Sequence, residues 1–165
     1  MVFPYYKKLS RSQKMIYRKS DGIDRINLQE ATVLIPVIKQ LNKALNDEMR
    51  PEIERLSKQI IKTIVKELKV SSVNVKILAA RPSNDWGELH GLYEPAEENK
   101  CACISVWMRT ARHKKVVAFK TFLRTLLHEL CHHLDYELLG LDDSYHTEGF
   151  FKRESSLFKR LTEEI

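Results

Sequence analysis

The chain has 165 residues, of which 43% are hydrophobic and 30% charged, which is typical of one globular domain with its own core. No apolar run approaches the roughly 18 residues of a transmembrane helix, so no membrane span is expected. The basic N-terminus lacks the apolar stretch and small-residue cleavage site of a secretory signal. Three cysteines, Cys101, Cys103 and Cys131, are too few for a disulfide framework and indicate a reducing, cytoplasmic location.

Positive charge is concentrated near the N-terminus. The net charge is +6, and the first twenty residues contain six basic residues and no acidic one. Phe3, Tyr5, Tyr6 and Tyr17 are interleaved among them. Basic residues mixed with aromatics suit a nucleic-acid backbone and stacked bases, so nucleic acid is one candidate partner. The alternatives are a solvated segment whose aromatics pack on the domain, and a segment that inhibits a functional site.

Two amphipathic helices are predicted in the first 69 residues, each with a proline in its first turn, at Pro36 and Pro51. Apolar residues then recur at helical spacing. They are Val37, Ile38, Leu41, Leu45 and Met49 in the first helix, and Ile53, Leu56, Ile60, Ile64 and Leu68 in the second. We assign residues 1–69 to a basic helical segment and residues 70–165 to a second domain.

The second domain begins with strands. Apolar residues alternate with polar ones over 72–77 and 102–108, and a short third strand is expected between Gly87 and Tyr93. A basic loop over 109–115 leads to a helix from about 116 to 139, with Gly140 placed for a left-handed cap. A loop and a final helix follow. The expected fold class is α+β, with a small, mainly antiparallel sheet.

The long helix contains the motif H-E-x-x-H, at His128, Glu129 and His132. Histidines four residues apart lie about 40° apart around a helix and about 6 Å apart along it, so both imidazoles can bind one ion. Glu129 lies about 100° round from His128, where a carboxylate can reach a zinc-bound water without displacing it. Such a glutamate can take the proton of the attacking water and return it to a leaving amine.

A catalytic zinc site needs a third protein ligand and one open position. His146 is the preferred third ligand because the loop after Gly140 can bring it back over the helix. Glu154 is the alternative, since it shares an apolar stripe with Phe150 and Phe158 and needs a partner there, either as a ligand or as an acceptor for a ligand histidine. Glu148 ranks below both. His133 is expected to point away from the ion.

The segments "HELCHHL" and "HTEGFFKR", after a strand such as "CACISVWM", resemble the SprT-like zinc metallopeptidases, which include the Spartan proteases. The resemblance covers about residues 70–162. It implies a minimal zincin-like domain with Zn²⁺ on His128, His132 and His146 and with Glu129 as the base. It also implies that an extended substrate docks along an edge strand near Ser105 and Trp107.

The expected function is a zinc-dependent metallopeptidase that hydrolyses peptide bonds in proteins or peptides, with a combined hypothesis that directs it to nucleic-acid-associated proteins. The alternative is a zinc-containing nucleic-acid-binding protein without peptidase activity. Glu129 discriminates between them, because a structural zinc site has four protein ligands and no need of an adjacent carboxylate.

Overall fold

The computed structural model describes residues 2–163 and shows an α+β protein with five helices and a small mixed sheet. In chain order the helices are α1 (Arg11–Asp21), α2 (Ile35–Asn46), α3 (Arg50–Glu67), α4 (Phe119–Glu137) and α5 (Glu148–Thr162). The strands are β1 (Asn74–Ala80), β2 (Ser83–Asn84), β3 (Gly87–Glu88), β4 (Gly91–Glu94) and β5 (Cys103–Arg109). Two 3₁₀ turns cover Pro4–Lys8 and Ala31–Leu34.

Helix α1 was not among the predicted elements. Its local signal is a capping box, in which the Ser10 side chain accepts from the Gln13 backbone and the Gln13 side chain accepts from the Ser10 backbone. This reciprocal pair satisfies two backbone groups that would otherwise lack partners at the helix start. This basic segment contains few apolar residues, so the cap was the more informative feature.

The sheet corrects the expectation of a mainly antiparallel arrangement. The strand order is β1-β5-β4, with β1 and β5 parallel and β4 and β5 antiparallel. The segment expected as one strand between Gly87 and Tyr93 forms β3 and β4 instead, and β3 pairs with β2 in a separate hairpin. Alternation in a sequence shows which face of a strand is buried, but it carries no information about the direction of its neighbours.

Strand β5 lies in the centre of the sheet. Ser105 pairs with Lys76 on one side and Leu92 on the other, so the strand near Ser105 and Trp107 is not an edge. The expectation that this strand is an edge is therefore wrong, and the docking of a substrate stays a prediction. The strand nearest to the H-E-x-x-H helix at a sheet edge is β4, and α4 packs against both β4 and β5.

One hydrophobic cluster joins the helices to the sheet. It includes side chains from both sides of residue 69, such as Ile60 on α3, Ile104 on β5 and Leu127 on α4. The division into two domains at residue 69 stays a prediction. Helix α4 ends as expected near Gly140, which takes a left-handed conformation with a φ of 61° that suits glycine.

Helix α5 is docked against the end of α1 by close backbone contact. A Cβ added at Gly149 would lie 2.5 Å from the backbone oxygen of Ser20 and 2.6 Å from that of Asp21. The Gly149 N–H also donates to the Asp21 carboxylate at 3.1 Å. Glycine is required here by the distance between two backbones, since neither can yield as a flexible side chain would.

We expect Gly149→Ala to reduce the free energy of unfolding by about 1–3 kcal/mol, the usual cost of forcing an extra carbon into a packed contact. Gly22→Ala is the matched control, because the nearest atom to its added Cβ is 3.5 Å away and its φ is −76°. Urea unfolding of both variants would measure the difference. Equal stability of the two variants would show that the α1–α5 contact adapts freely.

Candidate metal centre

Three histidine side chains converge at the junction of α4 and the loop before α5. His128 and His132 project from adjacent turns of α4, and His146 comes from the loop. The Nε2 atom of His146 lies 3.1 Å from that of His128 and 3.0 Å from that of His132. All three residues offer ligand atoms within 4.8 Å of one another, so they are close enough to bind one metal ion.

The other ring nitrogens of the two helical histidines are held by oxygen acceptors. His128 Nδ1 donates to Glu154 Oε2 at 2.9 Å, and Glu154 in turn accepts from Arg124 at 3.3 Å. His132 Nδ1 lies 2.7 Å from Ser144 Oγ, whose hydroxyl donates to Asp135 at 2.7 Å. Because the single hydroxyl proton of Ser144 is committed to Asp135, its oxygen accepts from His132.

These contacts leave the Nε2 lone pairs of His128 and His132 directed toward the common centre. Burial, and then the neighbouring rings of His128 and His146, lower the pKa of His132 to about 3, so this imidazole is neutral at physiological pH. Burial also lowers the pKa of His146. Neutral imidazoles with fixed tautomers are the form in which histidine binds metals.

The donor set fits zinc. A tetrahedral zinc ion at about 2.0–2.1 Å from each nitrogen would separate the nitrogens by about 3.3–3.4 Å. The two Nε2 separations of 3.1 and 3.0 Å are within a few tenths of an ångström of that value. Within residues 2–163 no fourth protein ligand joins the three imidazoles, and a three-histidine set leaves one position of a tetrahedral ion open.

Glu129 lies beside the histidine cluster under β4. Its side chain is largely buried, and burial, followed by the negative charge of Glu154, raises its pKa to about 7, against an opposing effect of His128. Within residues 2–163 no hydrogen bond reaches its carboxylate. A Cβ at Gly91 would lie 2.7 Å from Glu129 Oε1, so the glycine leaves the space that this carboxylate occupies.

The structure brings together His128, His132 and His146, the three predicted ligands. Glu154, the alternative ligand, contacts Nδ1 of His128 and so lies outside the cluster of Nε2 atoms. Of its two predicted roles, it therefore takes that of acceptor for a ligand histidine. Glu148 is not among the residues of the cluster.

His133 points away from the cluster, as expected. Its Nε2 donates to the Ser71 carbonyl at 2.7 Å, and its Nδ1 accepts from the Tyr93 hydroxyl at 2.9 Å. The Tyr93 ring also stacks on His132, with ring centroids 6.3 Å apart. His133 and Tyr93 therefore join α4 to β4 beside the histidine cluster.

Ser144, Gly91 and Tyr93 were not recognised from the sequence as parts of the site. Ser144 follows the acidic pair Asp142-Asp143 in a loop, where a serine is ordinary. Gly91 begins a short strand, and a glycine inside a strand pattern can mark the close approach of another group. That was the one available signal, and it did not indicate which group approaches.

Two hollows flank the histidine cluster. One, of about 620 Å³, lies between α4 and α5 and is lined by Thr121, Thr125, His128, Phe151 and Phe158, among others. The other, of about 380 Å³, includes Leu92, Tyr93, Pro95 and Tyr136. His128 and Glu129 line both hollows, so the cluster lies in the middle of a cleft. A larger hollow, of about 780 Å³, lies between residues 24–29 and α5 and includes none of the histidines.

No helix within residues 2–163 is long and apolar enough to cross a membrane. Comparison of the chain with known protein families, with curated proteins and with solved structures found no match.

We expect purified protein to bind about one zinc ion per chain, and His146→Ala to lose it, because two histidines alone hold zinc weakly. Glu154→Ala should keep the stoichiometry but bind zinc about 10–100-fold less tightly, since it removes the acceptor that orients His128. Metal analysis and competition with a chelator would measure both effects. Loss of zinc in Glu154→Ala with retention in His146→Ala would reverse the ligand assignment.

Proposed function

We propose that the protein is a zinc-dependent metallopeptidase of the minimal zincin type, related to the SprT-like enzymes that its motifs resemble. The observation that carries the proposal is the arrangement of three convergent Nε2 atoms with the Glu129 carboxylate beside them in an open cleft. A purely structural metal site would need neither that carboxylate nor access to solvent.

The chain supplies the acid–base group, and a bound metal ion would supply Lewis acidity. Zinc, when bound, acts as a Lewis acid and lowers the pKa of a coordinated water from about 15.7 to about 7. Glu129 is one residue beyond His128 and faces the cleft at Gly91, so it can accept a proton from the attacking water. The same carboxylic acid can then return this proton to the departing amine.

The free edge of β4 supports binding of an extended peptide. Within residues 2–163, β4 pairs only with β5, which leaves its other edge open beside the cleft. The His90 carbonyl accepts from Trp107 at 3.4 Å, and backbone groups alternate in direction along a strand, so those of Gly91 and Tyr93 face the open edge. A substrate segment can add to such an edge through main-chain hydrogen bonds.

The two hollows on either side of the histidines suit substrate side chains. The one between α4 and α5 is walled by the rings of Phe151 and Phe158, and the Arg124 guanidinium lies 4.1 Å from the Phe158 ring centroid. Arg124 is also paired with Glu154, which offsets its charge. This hollow therefore favours a large apolar or aromatic side chain next to the scissile bond.

Glu129→Gln should preserve the fold and zinc binding while it reduces peptide hydrolysis by at least about 10²–10⁴-fold, the usual contribution of a general acid–base group. The change is nearly isosteric, and none of the Nε2 contacts involves Glu129. Glu137→Gln is the matched control, since Glu137 lies on the same helix, is exposed and, within the part of the chain that the structure describes, accepts only from the Ser71 hydroxyl.

The assay should use unfolded protein substrates and self-cleavage, with and without DNA, and should follow zinc content in parallel. Hydrolysis that survives in zinc-loaded Glu129→Gln would refute the assigned mechanism. A zinc-loaded wild type that is inactive in every condition would favour the binding-protein alternative.

A second candidate function, binding of nucleic acid, is favoured by the exposed N-terminal charge. Lys7, Lys8 and Arg11 are exposed, and none forms an ion pair with an acid in the described part of the chain. The aromatic residues of this segment, however, pack mainly on one another and on Tyr145 and Phe151. The exposed charge therefore supports contact with phosphates. The rings already pack against other rings of the protein, so they offer little surface for stacking on bases.

If this surface binds nucleic acid, joint replacement of Lys7, Lys8 and Arg11 by Gln should weaken binding and reduce the salt slope by about 2–3, because fewer counterions are released. Joint replacement of the exposed Lys39, Lys62 and Lys66 by Gln removes equal charge from α2 and α3 and serves as the control. Equal slopes for both triple variants would exclude the N-terminal surface as the binding site.

A further inference from the structure

The N-terminal segment contacts the third histidine of the metal centre. We call residues 3–8 the N-terminal strap. The Tyr5 hydroxyl of the strap donates to the backbone carbonyl of His146 at 2.7 Å, across 141 residues of sequence. The ring of Phe3 also meets that of Phe151, which follows His146 by five residues, with centroids 6.0 Å apart.

His146 depends on such contacts more than the other two histidines do. His128 and His132 are carried by a helix, and their Nδ1 atoms are held by Glu154 and Ser144. His146 lies in a loop, and among residues 2–163 no hydrogen bond fixes its Nδ1 atom. Its position therefore depends on its backbone and on ring contacts with Phe150 and Phe151, and not on a hydrogen bond to Nδ1.

The backbone on either side of His146 is also held in place. Thr147 is buried, caps α5 by accepting from the Phe150 N–H at 2.9 Å, and meets Ser20 Oγ at 3.0 Å. On the other side, Ser144 is tied to Asp135. Between these two anchors, the Tyr5 hydroxyl is the group that holds the carbonyl of the ligand residue itself.

The strap is itself firmly attached to α1. The Phe3 N–H donates to the Tyr17 hydroxyl at 3.1 Å, and Tyr17 is 1% exposed. The rings of Tyr5 and Tyr6 pack edge-on against Tyr17, at 5.8 and 4.9 Å between centroids. Burial, and then the nearby Tyr17 and Tyr145, raise the pKa of Tyr5 to about 12, so its hydroxyl keeps the proton that it donates.

We propose that the N-terminal strap supports the metal centre. Tyr5 is a positioning residue, because its hydrogen bond fixes the backbone of His146. This contact raises the affinity of the three-histidine site for the metal. The proposal rests on the three-histidine site described above and does not depend on peptidase activity. It assigns to the basic, aromatic N-terminus a role separate from contact with nucleic acid.

The decisive comparison is between Tyr5→Phe and Tyr6→Phe in the full-length chain. Both variants lose one phenolic hydroxyl from the strap, but the Tyr6 hydroxyl is buried and has no hydrogen-bond partner among residues 2–163. We expect Tyr5→Phe to bind Zn²⁺ and Co²⁺ about 3–10-fold less tightly, the factor that one hydrogen bond is worth, and Tyr6→Phe to stay within about twofold of wild type. Deletion of residues 2–8 should weaken binding more than Tyr5→Phe does.

Two further measurements separate positioning from general stability. The visible absorption of the Co²⁺-loaded protein reports ligand geometry and should change in Tyr5→Phe but not in Tyr6→Phe. The metal-free forms of the two variants should unfold at similar urea concentrations, and the difference should emerge when zinc is added.

Equal affinities and equal Co²⁺ spectra for Tyr5→Phe and wild type would overturn the role of the strap while leaving the metal site intact. A wild type that binds neither ion would instead overturn the metal site. If Tyr5→Phe destabilises the metal-free form as much as the zinc-bound form, the contact contributes to general stability and Tyr5 is not a positioning residue.

Discussion

A buried ion pair between Asp135 of α4 and Arg153 of α5 is the interaction on which the rest of the site depends. Their side chains are 0% and 1% exposed, and the two charged groups meet at 3.0 Å. Arg153 also donates to the carbonyls of Ser20 and Ile23 at the end of α1. One guanidinium therefore holds three helices together, and loss of either partner would leave an uncompensated buried charge at a cost of roughly 3–5 kcal/mol.

The same pair extends to the metal centre. Asp135 accepts from Ser144, and Ser144 accepts from His132, so the orientation of this imidazole is linked to the packing of α1 and α5. A second series of hydrogen bonds runs from Arg124 through Glu154 to His128. In each series an arginine fixes a carboxylate, and that carboxylate fixes a ring nitrogen, directly or through one hydroxyl. Rigid support of this kind keeps the free nitrogens aligned before any ion binds.

Glu129 differs from the two other buried carboxylates near the site, Asp135 and Glu154. All three are buried, but Asp135 and Glu154 are paired, whereas Glu129 has no hydrogen-bond partner in the described part of the chain and faces the cleft. A buried carboxylate without a partner destabilises a fold. Local rules of stability tend to be broken where a group has a chemical task, and the role of general base proposed for Glu129 would be such a task.

Much of the local structure followed from the sequence. The period of apolar residues predicted the long helix that became α4 and the strands that became β1 and β5, and the spacing of His128 and His132 predicted that both would face one point. The position of His146 also came from the sequence, through its distance from α4 and the turn at Gly140. These inferences succeeded because helical geometry and short loops relate sequence spacing directly to distance.

Only the tertiary structure decided which strand lies at the edge, how Glu154 relates to the ligands and where the N-terminal segment lies. The parallel pairing of β1 with β5 placed Ser105 and Trp107 in the centre of the sheet and left β4 open. Contacts such as Tyr5 with His146 and Arg153 with Ser20 join residues more than 130 positions apart. A periodic pattern shows that one side of an element is buried, but the identity of the element that covers it depends on how the whole chain packs.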